Sequence, residues 1–273
     1  MKKLILPLLL LSVISSVAQR KPKIKGNRVV TEVNDELPPF NAIVLNDDLD
    51  IKLKKSFGPG YRIEADDNLV DILKFKVEDS TLVISSFYTV TSKKKFNITI
   101  EFDELKAVTM RAGSIVCEDI ISNDIMYIDA FGDSELNLKA DASVLDLNME
   151  DASSGDFNLD VDSLNINLKS RAKPSIYTVN GVTRLQVQDN ANIVLEGTSD
   201  DLVAAVHGNA KLKGERMEAA SIKLTVQESA NVNVYAYRDL ELSSKGNART
   251  YLYGTPKITV LEFLDTSQLI KKN

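Results

Sequence analysis

Two stretches of the sequence decide the fold: LQVQDNANIVL at residues 185–195 and IKLTVQESANVNV at residues 222–234. In both, runs of alternating apolar and polar residues stand on either side of a polar residue that is followed by a small one. The alternation has the period of a β-strand with one buried face. The polar–small pair, Asn190-Ala191 in the first stretch, marks a corner, because residues such as Asn tolerate the left-handed backbone of a sharp bend.

The same pattern recurs through the second half of the chain at intervals of 18 to 20 residues. Its polar–small pairs are Gly113-Ser114, Asp133-Ser134, Asp151-Ala152, Arg171-Ala172, Asn190-Ala191, Asn209-Ala210, Ser229-Ala230 and Asn247-Ala248. A unit of about 19 residues is too small to bury its own apolar face, whereas stacked units bury it jointly. The pattern therefore predicts an all-β fold, a parallel β-solenoid with about 19 residues per coil.

The alternative architecture is an antiparallel meander or a sandwich of hairpins. Hairpins favour Asn-Gly or Asp-Gly turns, and none of the eight corner pairs is of that kind. Within the solenoid, Asn190, Asn209 and Asn247 are the structural corners of interest. Because corners of successive coils stack, we expect these side chains to form an amide ladder.

Composition excludes several classes of function. The 273 residues carry 33 Lys and Arg against 39 Asp and Glu, a net charge of −6, which argues against a nucleic-acid partner. The lone cysteine, Cys117, excludes an internal disulfide and a cysteine-cluster metal site. The lone histidine, His207, removes most zinc sites, and there is no tryptophan. We expect no cofactor and no bound metal.

The first eighteen residues have the pattern of a secretory signal peptide. Lys2 and Lys3 precede an apolar run over residues 4–17, and Ser16-Val17-Ala18 is a small-residue cleavage site. The alternative is a transmembrane anchor, but a span needs about 20 apolar residues and this run is shorter. We therefore predict a signal peptide over 1–18 and export to the periplasm, the outer cell surface or the medium.

The rest of the chain divides into a short linker and one domain. Residues 19–27 are basic, contain Pro22 and Gly26, and are predicted to be a linker. Residues 28–273 are predicted to form a single solenoid domain whose N-terminal β region is less regular. A short helix is predicted over residues 69–73, after Asn68, and residues 258–273 are predicted to cap the open end.

Four strand-like segments of this region carry a family resemblance. They follow one another in the order Phe40–Val44, Leu49–Leu53, Tyr61–Leu69 and Val77–Ile84. With the signal peptide and the small-residue corners, they resemble the putative auto-transporter adhesin, head-GIN domain family. The resemblance extends from Phe40 to the turn at 254–256. It implies an exported, right-handed β-helix-like domain with a surface or periplasmic role in adhesion, and it brings no catalytic residues.

Residues able to support catalysis are few. A Ser-His-Asp triad would have to use His207, and no Gly-x-Ser-x-Gly sequence presents a nucleophile. His207 is expected to be a corner or core side chain, and Cys117 an inert buried thiol in an apolar run. Carboxylates are the alternative, since pairs from adjacent coils could hydrolyse glycosidic bonds or hold calcium. The clusters are Asp47-Asp48 with Asp50, Asp66-Asp67, Asp119 with Asp124, Glu150-Asp151 and Asp200-Asp201.

Two further features suggest contact with a partner. The basic run 93–95 is either a solvated loop or a contact for anionic lipid or glycan. Four tyrosines, Tyr235, Tyr237, Tyr251 and Tyr253, lie in the C-terminal coils, and period-two spacing puts each pair on one strand face. An exposed tyrosine face would be an interaction surface, whereas an inward one would only fill the core.

These observations favour an exported, non-catalytic β-solenoid that presents a surface for adhesion or ligand binding. Its partner would be a glycan or a cell-surface protein, and a homo-oligomer is possible. One alternative is a carbohydrate-active hydrolase or lyase that uses paired carboxylates. The other is a structural envelope protein that associates with itself through an edge or a flat face.

Overall fold

The computed structural model describes residues 21–272, so the predicted signal peptide lies outside the described residues. About 70% of the chain is strand, wound into a parallel β-solenoid of about nine coils with about 19 residues each, as predicted. The strands are β1 (Lys23–Lys25), β2 (Val30–Glu36), β3 (Ala42–Leu45), β4 (Asp50–Lys55), β5 (Gly60–Asp66), β6 (Leu73–Glu78), β7 (Thr81–Ser86), β8 (Thr89–Ser92), β9 (Phe96–Phe102), β10 (Ala107–Met110), β11 (Ser114–Ala130), β12 (Glu135–Met149), β13 (Ser154–Leu168), β14 (Lys173–Val187), β15 (Asn192–Val206), β16 (Lys211–Val226), β17 (Asn231–Ser244), β18 (Arg249–Tyr253), β19 (Lys257–Phe263) and β20 (Gln268–Lys271).

Each central coil is one long strand rather than two short ones. Strands β11 to β17 each continue around a bend, so that the two halves of a strand belong to two sides of one continuous, wound 18-stranded sheet. The halves that follow the corners, with β4, β18 and β20, form what we call the first sheet. The halves that precede the corners, with β3, β10 and β19, form the second sheet. Each coil needs only one sharp turn, because the other change of direction takes place gradually within the long strand.

The sharp turn is a four-residue corner with a left-handed residue in second place. In the corner 188–191, Asp189 has φ of 59°, and the Ala191 amide donates to the Gln188 carbonyl over 3.1 Å. The polar residue that we expected to be left-handed, Asn190, therefore lies one position later. The pair Asp151-Ala152 differs in the other part of the expectation: Asp151 is left-handed, as expected, but Ser153 rather than Ala152 takes the buried place.

The core is a set of columns that run along the solenoid axis. Parallel pairing stacks Leu145 on Leu164 and Leu164 on Thr183, and all three are fully buried. Alternate residues of every central strand point inward and are covered by the coils above and below. Burial of this continuous apolar interior is what holds successive coils together.

The N-terminal end is closed by antiparallel strands. β2 pairs antiparallel with β5 at the end of the first sheet, and β6 pairs antiparallel with β7 at the end of the second. Tyr61 and Phe75 stack across this end with ring centroids 4.6 Å apart. The predicted helix is a single 3₁₀ turn, Asp67–Leu69, shorter and earlier than expected. The segment expected to be a linker contains β1, which pairs with β8.

The C-terminal residues continue the ladder instead of capping it. β19 pairs with β17, β20 pairs with β18, and Asp265 with φ of 61° forms one more corner between them. Every residue of β19 is exposed. The expectation that residues 258–273 cap the solenoid is therefore wrong. These residues form a further coil, and no other described residue covers the side of that coil that faces away from the solenoid.

Candidate functional site

The four tyrosines of the C-terminal coils point away from the core. Tyr235 alternates with Val234 and Ala236 along β17, and both of these neighbours are fully buried. Tyr251 and Tyr253 of β18 flank Leu252, which is also fully buried. Tyr235, Tyr251 and Tyr253 thus lie on the outer side of the first sheet, and Tyr237 follows at the bend of β17. We call these four residues the tyrosine surface.

Two of these tyrosines are neighbours in the ladder. Tyr235 pairs directly with Tyr253 on the next strand, and adjacent strands are about 4.8 Å apart. Tyr237 continues the same strand and is 54% exposed. Beside Tyr251, the Lys272 ammonium nitrogen lies 5.2 Å from the ring centroid. The surface therefore combines aromatic rings and hydroxyl groups with a cation at its edge, a combination suited to ligands with both apolar and polar faces.

One exposed tyrosine that lies beside a groove, Tyr177, was not identified from the sequence. Tyr177 of β14 is half exposed on the first sheet, next to an open groove of about 320 Å³ that also contacts Phe157 and Glu196. The signal was present, since Tyr177 follows the fully buried Ile176 in an alternating strand. It was overlooked because it stands alone rather than in a pair.

The corner asparagines form one step of a ladder and not a continuous one. The Asn209 Nδ2 atom donates to Asn190 Oδ1 over 3.3 Å. Ser229 occupies the next corner, and Asn247 hydrogen-bonds with Thr266 on the far side. Amide–carboxylate steps lie instead on the second sheet, where Asn148 Nδ2 donates to Asp129 Oδ1 over 3.0 Å. The corner asparagines thus make local hydrogen bonds between adjacent coils.

His207 and Cys117 are not brought together. His207 lies in the corner after β15, where its amide donates to the Val187 carbonyl over 2.9 Å. Cys117 lies in β11 on the first sheet, and strands β12 to β14 separate the two. Only 3% of Cys117 is exposed, and burial raises the pKa of its thiol to about 11. At neutral pH little of the reactive thiolate exists.

Asp66 holds together the N-terminal end. Its buried carboxylate accepts hydrogen bonds from the backbone amides of Arg28, Lys94 and Lys95, each 3.1 Å long. Burial alone would raise the pKa of Asp66, but these three amides and the charge of Lys94 lower it below its ordinary value. This carboxylate joins the segment before β2 to the turn before β9.

Other carboxylates predicted as clusters also bind their own chain. Asp47 accepts from the Ser86 amide over 2.8 Å, and Asp50 from the Ser114 hydroxyl over 2.8 Å. Asp119 accepts from the Lys55 amide over 2.8 Å, and Asp151 from the Gly132 amide over 3.1 Å. In residues 21–272, no group of three or more His, Cys, Asp or Glu side chains is placed to hold a metal ion.

One acidic arrangement was only partly anticipated. The bend between the sheets carries Asp124, Asp141, Asp160 and Asp162 around an open cavity of about 530 Å³. Of these, only Asp124 was identified from the sequence. Parallel pairing stacks Asp141 directly on Asp160, so this row follows from the coil register and could not be seen before the register was known.

The basic run lines a groove but is largely paired with acids. Lys93 lies 3.6 Å from Asp50, and Lys95 forms an ion pair with Glu64. The Lys93 ammonium also lies 5.3 Å from the centroid of the Phe96 ring. The groove beside this run has a volume of about 630 Å³. Because the local acids neutralise two of the three lysines, the run itself offers little uncompensated charge.

Comparison with solved structures identifies the fold. A "putative adhesin" from Parabacteroides merdae has a TM-score of 0.66 at 17% identity, over 92% of this chain and all of its own. A "putative adhesin" from Parabacteroides distasonis has 0.64 at 15% identity, over 92% and 97% of the two chains. A "putative lipid binding protein" from the same organism has 0.63 at 20% identity, over 92% and 100%. At these identities the likeness concerns the fold alone.

Sequence comparison then identifies the family. None of the curated proteins compared with this chain matches it. In the described part of the chain, no helix has the length and apolar character needed to cross a membrane. The profile of one family matches residues 39–180 and, as a second segment, 153–256, in agreement with the resemblance seen in the sequence. The chain belongs to the family described as "Putative auto-transporter adhesin, head GIN domain".

Proposed function

We propose that this protein is an exported, non-catalytic adhesin of the bacterial envelope that binds glycans through its tyrosine surface. The observation that carries the proposal is the outward position of Tyr235 and Tyr253 on neighbouring strands. The family described as adhesins supports the general role. The eighteen-residue leader pattern supports export.

Tyrosines on neighbouring strands suit a sugar chain for physical reasons. Each ring offers an apolar face at low cost in side-chain entropy, and each hydroxyl can exchange hydrogen bonds with a sugar hydroxyl. Successive coils repeat at about 4.8 Å, so the rings form a row rather than a pocket. A row on an open sheet favours an extended ligand over a small enclosed one.

The placement of the candidate catalytic groups supports a binding role. His207 and Cys117 lie in different coils, and Asp47, Asp50 and Asp119 accept hydrogen bonds from their own chain. A hydrolase needs one carboxylic acid and one carboxylate set on either side of a bound substrate. The acidic bend around Asp141 and Asp160 is the place where such activity would arise, so it is included in the test.

The experiment is a glycan array probed with the exported chain, with product formation measured on the same samples. Tyr235→Ala combined with Tyr253→Ala is expected to weaken binding by at least about tenfold, as loss of stacked aromatic contacts does. Tyr127→Ala is the matched control, because Tyr127 is 48% exposed on the second sheet. Anionic lipid vesicles belong in the panel, since one similar structure is named as lipid binding.

Three outcomes would overturn the proposal. Product formation that is lost in Asp141→Asn would make the protein an enzyme. Binding that survives the double tyrosine substitution would place the ligand elsewhere. Binding to anionic vesicles with none to any glycan would replace the sugar with a lipid surface.

A further inference from the structure

The two ends of the solenoid differ in a way that points to a partner. At the N-terminal end, the outermost strands β2 and β6 also pair on one side only among the described residues, but the apolar side chains of Leu73, Phe75 and Val77 are partly buried there and Tyr61 stacks on Phe75. At the C-terminal end, β19 and β20 each pair with a strand on one side only, within residues 21–272. Their outer backbone groups therefore form an open strand edge, a template for pairing with another chain.

The open edge is also the open end of the core. Ile258, Val260 and Phe263 continue the columns of Leu240, Leu242 and Ser244, which are at most 1% exposed. The three terminal residues are instead 43%, 50% and 44% exposed. Between β19 and β20 lies an open cavity of about 580 Å³ whose lining includes Leu269 and Ile270. Exposed apolar surface of this kind marks an interaction site.

The charges on this end are arranged in two halves. The half next to the corner carries Glu262 and Asp265. The other half, where β19 begins and β20 ends, carries Lys257, Lys271 and Lys272. A second copy related by a two-fold axis perpendicular to the solenoid axis would run antiparallel to the first. The basic half of each copy would then face the acidic half of the other copy.

From this complementarity we infer that the C-terminal end binds a second copy of the same chain, end to end about a two-fold axis. The contact closes on itself, so it stops at two copies. A head-to-tail contact would instead build open filaments, and it would set the exposed end of the core against the partly buried Leu73, Phe75 and Val77 of β6. The bulge after Val260 at Leu261 leaves Glu262 on the outer side of the strand, as Lys257 is.

Two features of the dimer follow from its geometry. The pairing covers the exposed Ile258, Val260 and Phe263 with the same residues of the second copy. It also brings two tyrosine surfaces close to one junction, because Tyr251 pairs directly with Ile270 of the last strand. The inference stands independently of the glycan proposal, since it concerns the strand edge and not the outer face.

Sedimentation velocity of the exported chain over a concentration series tests the inference. A reversible dimer is expected. Val260→Lys should raise the dimer dissociation constant by at least about tenfold, because a lysine on a strand edge opposes pairing. Val203→Lys is the matched control, since Val203 is 43% exposed in the middle of the second sheet and should leave the dimer unchanged.

A second test exchanges two charges on the outer side of β19 and therefore leaves the apolar residues of the last coil unchanged. Lys257→Glu alone and Glu262→Lys alone should each weaken the dimer, and the two together should restore it. A wild-type chain that stays monomeric at the highest concentration would overturn the inference. So would a dimer that Val260→Lys leaves intact, a double variant no stronger than the single ones, or wild-type polymers that grow with concentration.

Discussion

Individual left-handed residues decide how tightly the coils stack. Asp189 adopts φ of 59° and its carboxylate accepts a hydrogen bond from the Ser170 amide of the coil before, over 3.0 Å. Asp151 and Asp265 do the same for Gly132 and Gly246. Asp is suited to this position, because it tolerates the left-handed region better than most residues and reaches a neighbouring backbone amide.

Replacement of Asp189 separates the contribution of its hydrogen bond from that of its left-handed backbone conformation. Asp189→Ala loses the hydrogen bond and keeps a side chain in the left-handed region, so it should lower the free energy of unfolding by about 1–2 kcal/mol. Asp189→Gly loses the same bond but relieves the backbone, and should cost less than the alanine variant. Urea unfolding measures both. Asp200→Ala, at an exposed residue, is the control; an alanine variant as stable as wild type would contradict the account.

At the scale of the element, glycine permits one coil to lie close to the next. Gly197 of β15 has φ of +111°, and a β-carbon there would overlap the Thr178 carbonyl of the preceding strand. Gly181, on β14, is in an ordinary backbone conformation, and its β-carbon would lie 3.3 Å from the Asp162 carbonyl oxygen. The two glycines occupy neighbouring strands and differ both in backbone strain and in how closely the preceding strand approaches.

This difference predicts unequal effects of the same substitution. Gly197→Ala should lower the free energy of unfolding by more than about 3 kcal/mol, because backbone strain and a backbone clash add. Gly181→Ala should change it by less than about 1 kcal/mol. Thermal and urea unfolding of the two variants provide the comparison. Equal stabilities would show that the close approach at Thr178 is not a constraint.

The N-terminal turn depends on a single carboxylate and should respond to pH. The folded pKa of Asp66 is below its ordinary value, so ionised Asp66 stabilises the turn above the unfolded pKa of about 4. That contribution is lost as pH falls through the folded pKa. The protection factors of the Lys94 and Lys95 amides against hydrogen exchange, which are corrected for the intrinsic effect of pH on the exchange rate, should therefore fall in acid.

Asp66→Asn should remove this pH dependence and expose the same amides to faster exchange at neutral pH. Asp71→Asn, at an exposed residue after the 3₁₀ turn, should behave like the wild type. If the Asp66 variant kept the acid-induced loss of protection of the wild type, another group would have to control the turn.

At the scale of the whole molecule, the solenoid has one closed end, one open end and a row of tyrosines beside the open one. The outer faces elsewhere are mainly polar, with amide and carboxylate side chains stacked along the second sheet. The proposed binding by the tyrosine surface and the proposed pairing through the open end use different atoms. A dimer would present two tyrosine surfaces, which raises apparent affinity for a long ligand through multivalency.

The repeat made the coil predictable, and its limits explain what was missed. Asn190 and Asn209 reveal the period, yet the pair Asp151-Ala152 was assigned one residue early, because Ala152 and Ser153 are both small enough for the buried place. A cap was expected at the end because a bare edge invites pairing with other chains, whereas β19 and β20 form a further coil in which the bulge residue Leu261 interrupts the alternation. Stacked residues such as Asp141 and Asp160 become neighbours only through the register.

The sequence pattern also could not decide which side of the strand the tyrosines occupy. Period-two spacing places Tyr251 and Tyr253 on one side of a strand, but the side is fixed by which neighbours the core accepts. Burial of Leu252 settles it. The periodicity gives no information about the identity of a ligand. Binding depends on the outer residues, and the repeat does not constrain them.

The most direct test of the central claim is the ratio of glycan affinities between the wild type and the chain with Tyr235→Ala and Tyr253→Ala. The account predicts binding without turnover, a loss of at least about tenfold in the double variant, and no change with Tyr127→Ala. Unchanged affinity in the double variant, or product formed from the bound glycan, would contradict it.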